Sequence, residues 1–360
     1  MKAVEYNDRA VIRTHDFPVT GNEYELKNHI ETWQTQARPG LIATDMDGTM
    51  FLEDAGRLVF NNFIESPEFF SRDPTDFNSL LLTSYPITED GRSARDLVKN
   101  AAEGRGSELS AETCRDVLHE CGNLTENYAR LHSIGATSED ERRAFAQAFL
   151  ALDQKLIDLK NTVQDFGLSN RLAEAFWRFR MTTGFPASHI ASYAKRLADG
   201  GIRANSPVHQ ILHSAPKADT IHVITASPCV VARELIRASL YKTVITDHTV
   251  IPTTLQRSET DHLTGRIEGE MITGDVKRVL LQHLQRNTGA TLRMALGDHP
   301  PGDGAMGALV LEKGGVFVIT HEPEKFQTMR QAFHSVLAQF IEPDEHADRI
   351  WYVEQEALIS

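Results

Sequence analysis

The sequence predicts an α/β protein whose parallel-sheet, Rossmann-like core is interrupted by a large helical insertion. Strand-length apolar runs alternate with helical ones after residue 218. A single strand-like run at 41–45 stands far upstream of them, and the stretch between, about 92–205, shows helical but no strand periodicity. At 360 residues the chain is long for one core, so two domains are expected. The division predicted is a core at 1–55 and 216–360, with 1–40 as an N-terminal extension, and a helical domain at 56–215.

Residues 1–40 are polar, with one helix expected near 22–34 ahead of Arg38-Pro39-Gly40. Leu41-Ile42-Ala43-Thr44-Asp45 is an apolar strand that ends in a carboxylate. Residues 54–90, rich in Phe, Pro, Asp and Ser, read as an irregular excursion. Ser138-Glu139-Asp140-Glu141 is a capping-box start. Phe145, Phe149, Leu152, Leu156 and Leu159 follow at alternating spacings of four and three, the stripe of a helix facing a core. A helix near Ala187–Ala198 stops at Gly200-Gly201. Ile221–Thr225 is a buried strand, Ser227-Pro228 reads as the N-cap of a helix running through Leu240, and Thr243–Thr246 is strand-like. Residues 250–272 read as extended segments joined at Thr264-Gly265. Asp275–Leu284 is helical, and Thr291–Leu296 and Gly315–Thr320 are strands.

Composition narrows the function classes. The chain is 41% hydrophobic and 24% charged, with no run long and apolar enough to span a bilayer. Its net charge of −13 argues against nucleic-acid and anionic-membrane partners, and it requires that a phosphate-bearing substrate meet a locally positive site. Cys114, Cys121 and Cys229 form no CxxC pair, and the first two stand about 10 Å apart on a helix, too far for a disulfide. The start Met1-Lys2-Ala3-Val4-Glu5 lacks a signal-peptide core, so a cytoplasmic location is expected.

The chemistry lies in four segments at strand ends or helix starts, where ligands of parallel sheets bind. In Asp45-Met46-Asp47-Gly48-Thr49, aspartates at i and i+2 share one face, and two such anions repel unless a cation or a proton intervenes. Taken alone, this segment is also compatible with an ordinary Asp-Gly turn. Thr225 ends its strand with a hydroxyl able to donate to a phosphate oxygen, and Ser227 is its rival. Lys277 lies in the first turn of a helix, where it opposes the helix dipole, with Arg278 beside it as a rival cation. Gly297-Asp298 closes an apolar strand, and Asp303 follows across the tight loop His299-Pro300-Pro301-Gly302. Alone, that segment is also compatible with a Pro-Gly turn.

In this order the four segments resemble the haloacid dehalogenase superfamily of aspartate-nucleophile phosphotransferases. The resemblance covers roughly 41–55 and 218–322. His262–Gly269, with Gly265 at its centre, is similar to a hairpin of the phosphoserine-phosphatase-like branch, whose cap is helical and placed between the first two motifs. Gly184-Phe185-Pro186 resembles the end of such a cap.

The resemblance implies a phosphatase acting on a small phosphorylated metabolite through an aspartyl-phosphate. It implies Asp45 as nucleophile and Asp47 as acid/base. Thr225 would hold the phosphoryl group and Lys277 would neutralise charge. Mg²⁺ would be bound by Asp45, the Asp47 main-chain carbonyl and Asp298, with Asp303 behind them. In the phosphoserine phosphatases an acid nine places after the nucleophile binds the substrate ammonium; here that position is Asp54, with Glu53 before it. His299 and Pro300-Pro301 depart from the usual pattern. Transfer to another acceptor, protein dephosphorylation, and a non-catalytic binding protein are the alternative functions.

Overall fold

The computed structural model describes residues 19–20, 32, 38–83, 94–105, 109–161, 177–200 and 202–357. The helix expected near 22–34 lies outside them except for Thr32, and so does Gly201. By internal contacts the chain divides into two units: residues 1–58, 194–254 and 269–360, and residues 59–193 with 255–268.

The first unit is built on a seven-stranded sheet. In chain order its strands are β1 (Val19–Thr20), β2 (Gly40–Thr44), β3 (Thr220–Pro228), β4 (Val250–Thr253), β7 (Thr291–Gly297), β8 (Val316–His321) and β9 (Ile350–Glu354). The spatial order is β1-β9-β8-β7-β2-β3-β4. Six strands run parallel, and the short edge strand β1 is antiparallel to β9. Strands β2, β7 and β8 are buried almost throughout, as a sheet covered on both faces requires. β2 lies between β3 and β7, and the chain leaves it in one direction along the sheet and later returns on the other side. That reversal opens a crevice at the carboxyl ends of these strands.

Helices α8 (Cys229–Ala238), α9 (Asp275–Thr288), α10 (Pro300–Glu312) and α11 (Phe326–Leu337) belong to this unit. Leu41, Ala43, Ile224, Leu292, Ala295, Met306, Leu309, Phe317 and Phe333 meet in one core. His299–Gly302 is not the tight loop expected: Pro300 and Pro301 open α10. Proline loses nothing at those positions, because the first amides of a helix have no intrahelical acceptor. The strand expected at Thr243–Thr246 is also absent. A 3₁₀ turn over Leu240–Thr243 stands there, and the next strand is β4.

Between β2 and β3 the described residues form the helices α1 (Ala55–Ile64), α2 (Pro74–Thr83), α3 (Ala94–Ala102), α4 (Ala111–Ser133), α5 (Glu139–Asn161), α6 (Ala187–Gly200) and α7 (Ser206–His213). Residues 54–83 are thus regular where an irregular excursion was expected. Their Asp and Ser residues cap helices: Asp54 accepts from the Arg57 amide at 2.7 Å, Ser66 from Phe69 at 3.3 Å, and Asp73 from Thr75 at 2.8 Å.

The second unit is centred on aromatic rings. Phe69, Phe77, Tyr128, Phe145, Phe149 and Trp177 are all buried. Phe77 stacks on Tyr128 at 4.0 Å and Phe149 on Trp177 at 4.6 Å. The two polar handles find acceptors, Tyr128 Oη on Phe69 O at 2.7 Å and Trp177 Nε1 on Leu81 O at 3.0 Å. All five residues of the predicted α5 stripe are buried, and Ser138 caps that helix. The hairpin β5 (Leu255–Arg257) and β6 (Leu263–Ile267) belongs to this unit, with Leu263 hydrogen-bonded to Gly184 and Phe185. Its turn falls at residues 258–262, so Thr264-Gly265 lies inside β6 rather than at the bend.

Candidate active site

Every carboxylate singled out from the first and fourth segments, together with Thr225 and Lys277, lies in the first unit at the carboxyl end of its sheet. β2 delivers Asp45, whose amide donates to Leu296 O of β7 at 3.0 Å. α9 brings Lys277 to it. The lysine ammonium lies 2.6 Å from Asp45 Oδ1 and 2.7 Å from Asp303 Oδ1, and the side chain is almost fully buried. Burial opposes its charge, but Asp303 and Asp45 outweigh that and hold it above the ordinary lysine range. Arg278, the rival cation, pairs with Glu312 instead.

Asp303, in the first turn of α10, is completely buried. One oxygen takes Lys277, and the other accepts the amides of Asp298 at 3.1 Å and His299 at 2.9 Å. Both oxygens of Asp303 are thereby engaged. It fixes the lysine and the strand-end loop that carries Asp298.

Asp45 is pushed up to about 6, by burial first, with Lys277 pulling down and Asp303 pushing up. Asp47 is pushed up to about 8, again by burial, with Asp54 and Asp45 adding repulsion. Its carboxylate accepts from the Ala55 amide at 2.8 Å and from Ser227 Oγ at 2.6 Å. Ser227 is not the helix cap expected from Ser227-Pro228. Instead β3 extends to Pro228, no side chain caps α8, and the Ser227 hydroxyl faces Asp47. Thr225 Oγ1 accepts the Ser227 amide at 3.1 Å.

Gly48 and Thr49 carry the chain past Asp298. Gly48 has φ +73°, and Thr49 Oγ1 donates to Asp298 Oδ1 at 3.2 Å. The next carbonyls are held by residues that no motif marked. Thr320 Oγ1, at 3.1 Å, and Gln355 Nε2 donate to Gly48 O. Asn205 Nδ2 donates to Thr49 O at 2.8 Å, and Tyr241 Oη to Met50 O at 2.6 Å. Asn205-Ser206-Pro207 carries only the signature of a helix start, so its reach to this loop is a tertiary fact. Asp54 is exposed at the head of α1.

Oxygens of Asp45, Asp298 and Asp303 lie within 4.8 Å of one another. An all-carboxylate set of this kind fits a hard divalent cation such as Mg²⁺. With both oxygens of Asp303 engaged, Asp45 and Asp298 are the side chains that would hold it.

The parallel core with its helical insertion after β2 is the architecture that the resemblance to the haloacid dehalogenase superfamily implies. No protein family and no curated protein matches the sequence. Among solved structures, a functionally unknown protein from Anaerococcus prevotii DSM 20548 is similar at a TM-score of 0.61 and 13% identity, covering 86% of this chain and 88% of that one. Likeness at that identity shows a common fold alone. A probable phosphoserine phosphatase from Vibrio cholerae is similar at a TM-score of 0.40 and 13% identity, over 89% of this chain and 74% of that one, too distant to carry a functional argument. Among the described residues no helix is long and apolar enough to cross a membrane.

Proposed function

We propose that the chain is a magnesium-dependent phosphoric monoester hydrolase that acts on a small phosphorylated metabolite through an aspartyl-phosphate on Asp45. A cytoplasmic location and a cap formed by residues 56–215 are part of the same reading. The observation that carries it is Lys277, buried between Asp45 and Asp303 at 2.6 and 2.7 Å. A carboxylate meets a phosphate dianion only where a fixed cation screens both, and this ammonium is fixed on the strand-end carboxylate.

An oxygen of Asp45 attacks phosphorus. The ester P–O bond breaks, and the leaving oxygen keeps the electron pair and takes a proton from Asp47. Water then attacks the same phosphorus and gives a proton to Asp47, the bond to Asp45 breaks, and the carboxylate is restored. Asp47, pushed up to about 8, holds its proton at neutral pH as a general acid must. Thr225 keeps its hydroxyl proton for a phosphoryl oxygen, since Oγ1 serves the Ser227 amide only as an acceptor. Asp45, the Asp47 main-chain carbonyl and Asp298 would hold Mg²⁺, which supplies further charge neutralisation when bound. Asp303 orients Lys277, and Asp54 would pair with an amino group on the substrate.

The test is phosphate release from p-nitrophenyl phosphate with and without Mg²⁺, with Asp45→Asn as control. Activity should require the metal and fall by several orders of magnitude in the variant, each ~1.4 kcal/mol of lost stabilisation being tenfold. Equal activity in Asp45→Asn overturns the mechanism. No release from a broad panel of phosphomonoesters favours a binding protein on this fold.

A further inference from the structure

We propose that Ser227 is a positioning residue for Asp47, holding the carboxyl group in the orientation from which it protonates a leaving alkoxide; this rests on the phosphomonoesterase reading above. Four observations converge on it.

Ser227 is 5% exposed, and its hydroxyl donates to Asp47 Oδ2 at 2.6 Å across 180 positions of sequence. The other Asp47 oxygen is fixed by the Ala55 amide at 2.8 Å. A carboxyl group gripped at both oxygens keeps one χ2 angle, and proton transfer depends steeply on such alignment.

The backbone is shaped to place that hydroxyl. β3 pairs regularly with β4 as far as Thr225–Pro252, and the next pair is Pro228–Thr253. Two residues of β3, Ala226 and Ser227, therefore stand where β4 has none. A bulge of this kind re-aims a side chain beside a site. The Thr225 hydroxyl fastens the bulge by accepting the Ser227 amide at 3.1 Å.

Space is also reserved for it. A Cβ built on Gly56, in the first turn of α1, would stand 3.0 Å from Ser227 Oγ. Only glycine leaves the hydroxyl undisturbed. Finally, Ser227 has no competing role as a cap, because α8 begins without a side-chain cap.

The role predicts a dependence on the leaving group. p-Nitrophenolate departs as a stable anion and needs little protonation, whereas an alkoxide needs it fully. The constant to compare is kcat/KM, which covers the steps through departure of the alcohol, for p-nitrophenyl phosphate and for the best of a panel of alkyl phosphates. In Ser227→Ala the alkyl ester should lose about 10- to 100-fold, within the usual range of general-acid contributions, and the aryl ester no more than about threefold. Ser227→Thr, which keeps a hydroxyl, should recover most of the loss. Gly56→Ala, a favourable change for helix α1, should reproduce the alkyl-selective loss with Ser227 intact. Thermal unfolding midpoints establish that each variant is folded.

Equal losses on both esters, or no loss on either, overturn the positioning role while leaving the hydrolase reading intact. Hydrolysis of the aryl ester with no alkyl ester accepted counts against it too, because Asp47 then delivers no proton for Ser227 to place. If the unmutated protein releases phosphate from neither class, the hydrolase reading itself falls, and this role with it.

Discussion

A methyl group on Gly48 would lie 2.1 Å from Asp298 Oδ2. The turn that follows the aspartate pair and the carboxylate at the end of β7 are thus in mutual contact through a position where a side chain cannot fit. Gly48 also holds φ +73°, a region that costs other residues about 1–2 kcal/mol. Gly48→Ala should displace Asp298 and weaken Mg²⁺ binding about 10- to 100-fold, as loss of ligand support does elsewhere. Isothermal titration of the full chain with MgCl₂ measures this without reference to turnover. Unchanged affinity would show that Asp298 does not hold the ion.

The two raised carboxyl groups give the metal-free protein a defined pH dependence. Asp47 moves from 3.8 to about 8 on folding, and Asp45 from 3.8 to about 6. A raised folded value means that the native state retains protons which the unfolded chain releases. Their contribution is therefore fully present below about pH 4 and is lost as pH rises through the folded values. Asp47→Asn, which stays neutral at every pH, should match the unmutated protein near pH 4 and be more stable near pH 8, by roughly a few kcal/mol. Urea unfolding in EDTA at the two pH values checks this, and a difference independent of pH would refute it.

Asn205 is fully buried, and its side-chain amide donates to the Thr49 carbonyl at 2.8 Å. Its own amide donates to Met50 O at 2.8 Å. Asn205→Ala removes the side-chain bond and leaves a buried carbonyl unpaired, at a cost of about 1–3 kcal/mol. Thr49 in turn donates to Asp298 at 3.2 Å, so Mg²⁺ affinity should fall along with stability. Thermal unfolding with and without saturating Mg²⁺ separates the two effects. A shift in stability with no change in the metal's increment would confine Asn205 to the scaffold.

Local patterning in the chain is enough to reveal the parts that repeat with a period or end a strand. Leu41–Thr44, Ile221–Thr225 and Thr291–Leu296 are legible because a strand covered on both faces is apolar along most of its length, with His222 and Arg293 among the buried exceptions. The α5 stripe was legible because a helix facing a core repeats at three and four. Asp45, Asp47, Lys277 and Asp298 could be singled out because each sits where a strand ends or a helix begins. Helices α1 and α2 were not legible, because Asp54, Ser66 and Asp73 serve equally in loops and as caps. Pro300-Pro301 concealed α10, since proline both stiffens loops and opens helices.

Which of these residues meet is settled by packing. That Lys277 spans Asp45 and Asp303, while Arg278 turns to Glu312, depends on how α9 lies against α10. That Ser227 faces Asp47 follows from a bulge between β3 and β4, whose register is set by pairing across strands. Asn205, Tyr241, Thr320 and Gln355 reach the loop after Asp47 from four distant parts of the chain. Periodicity and strand ends are local properties of the chain, whereas a hydrogen bond between residues far apart in sequence exists only once packing has placed both partners.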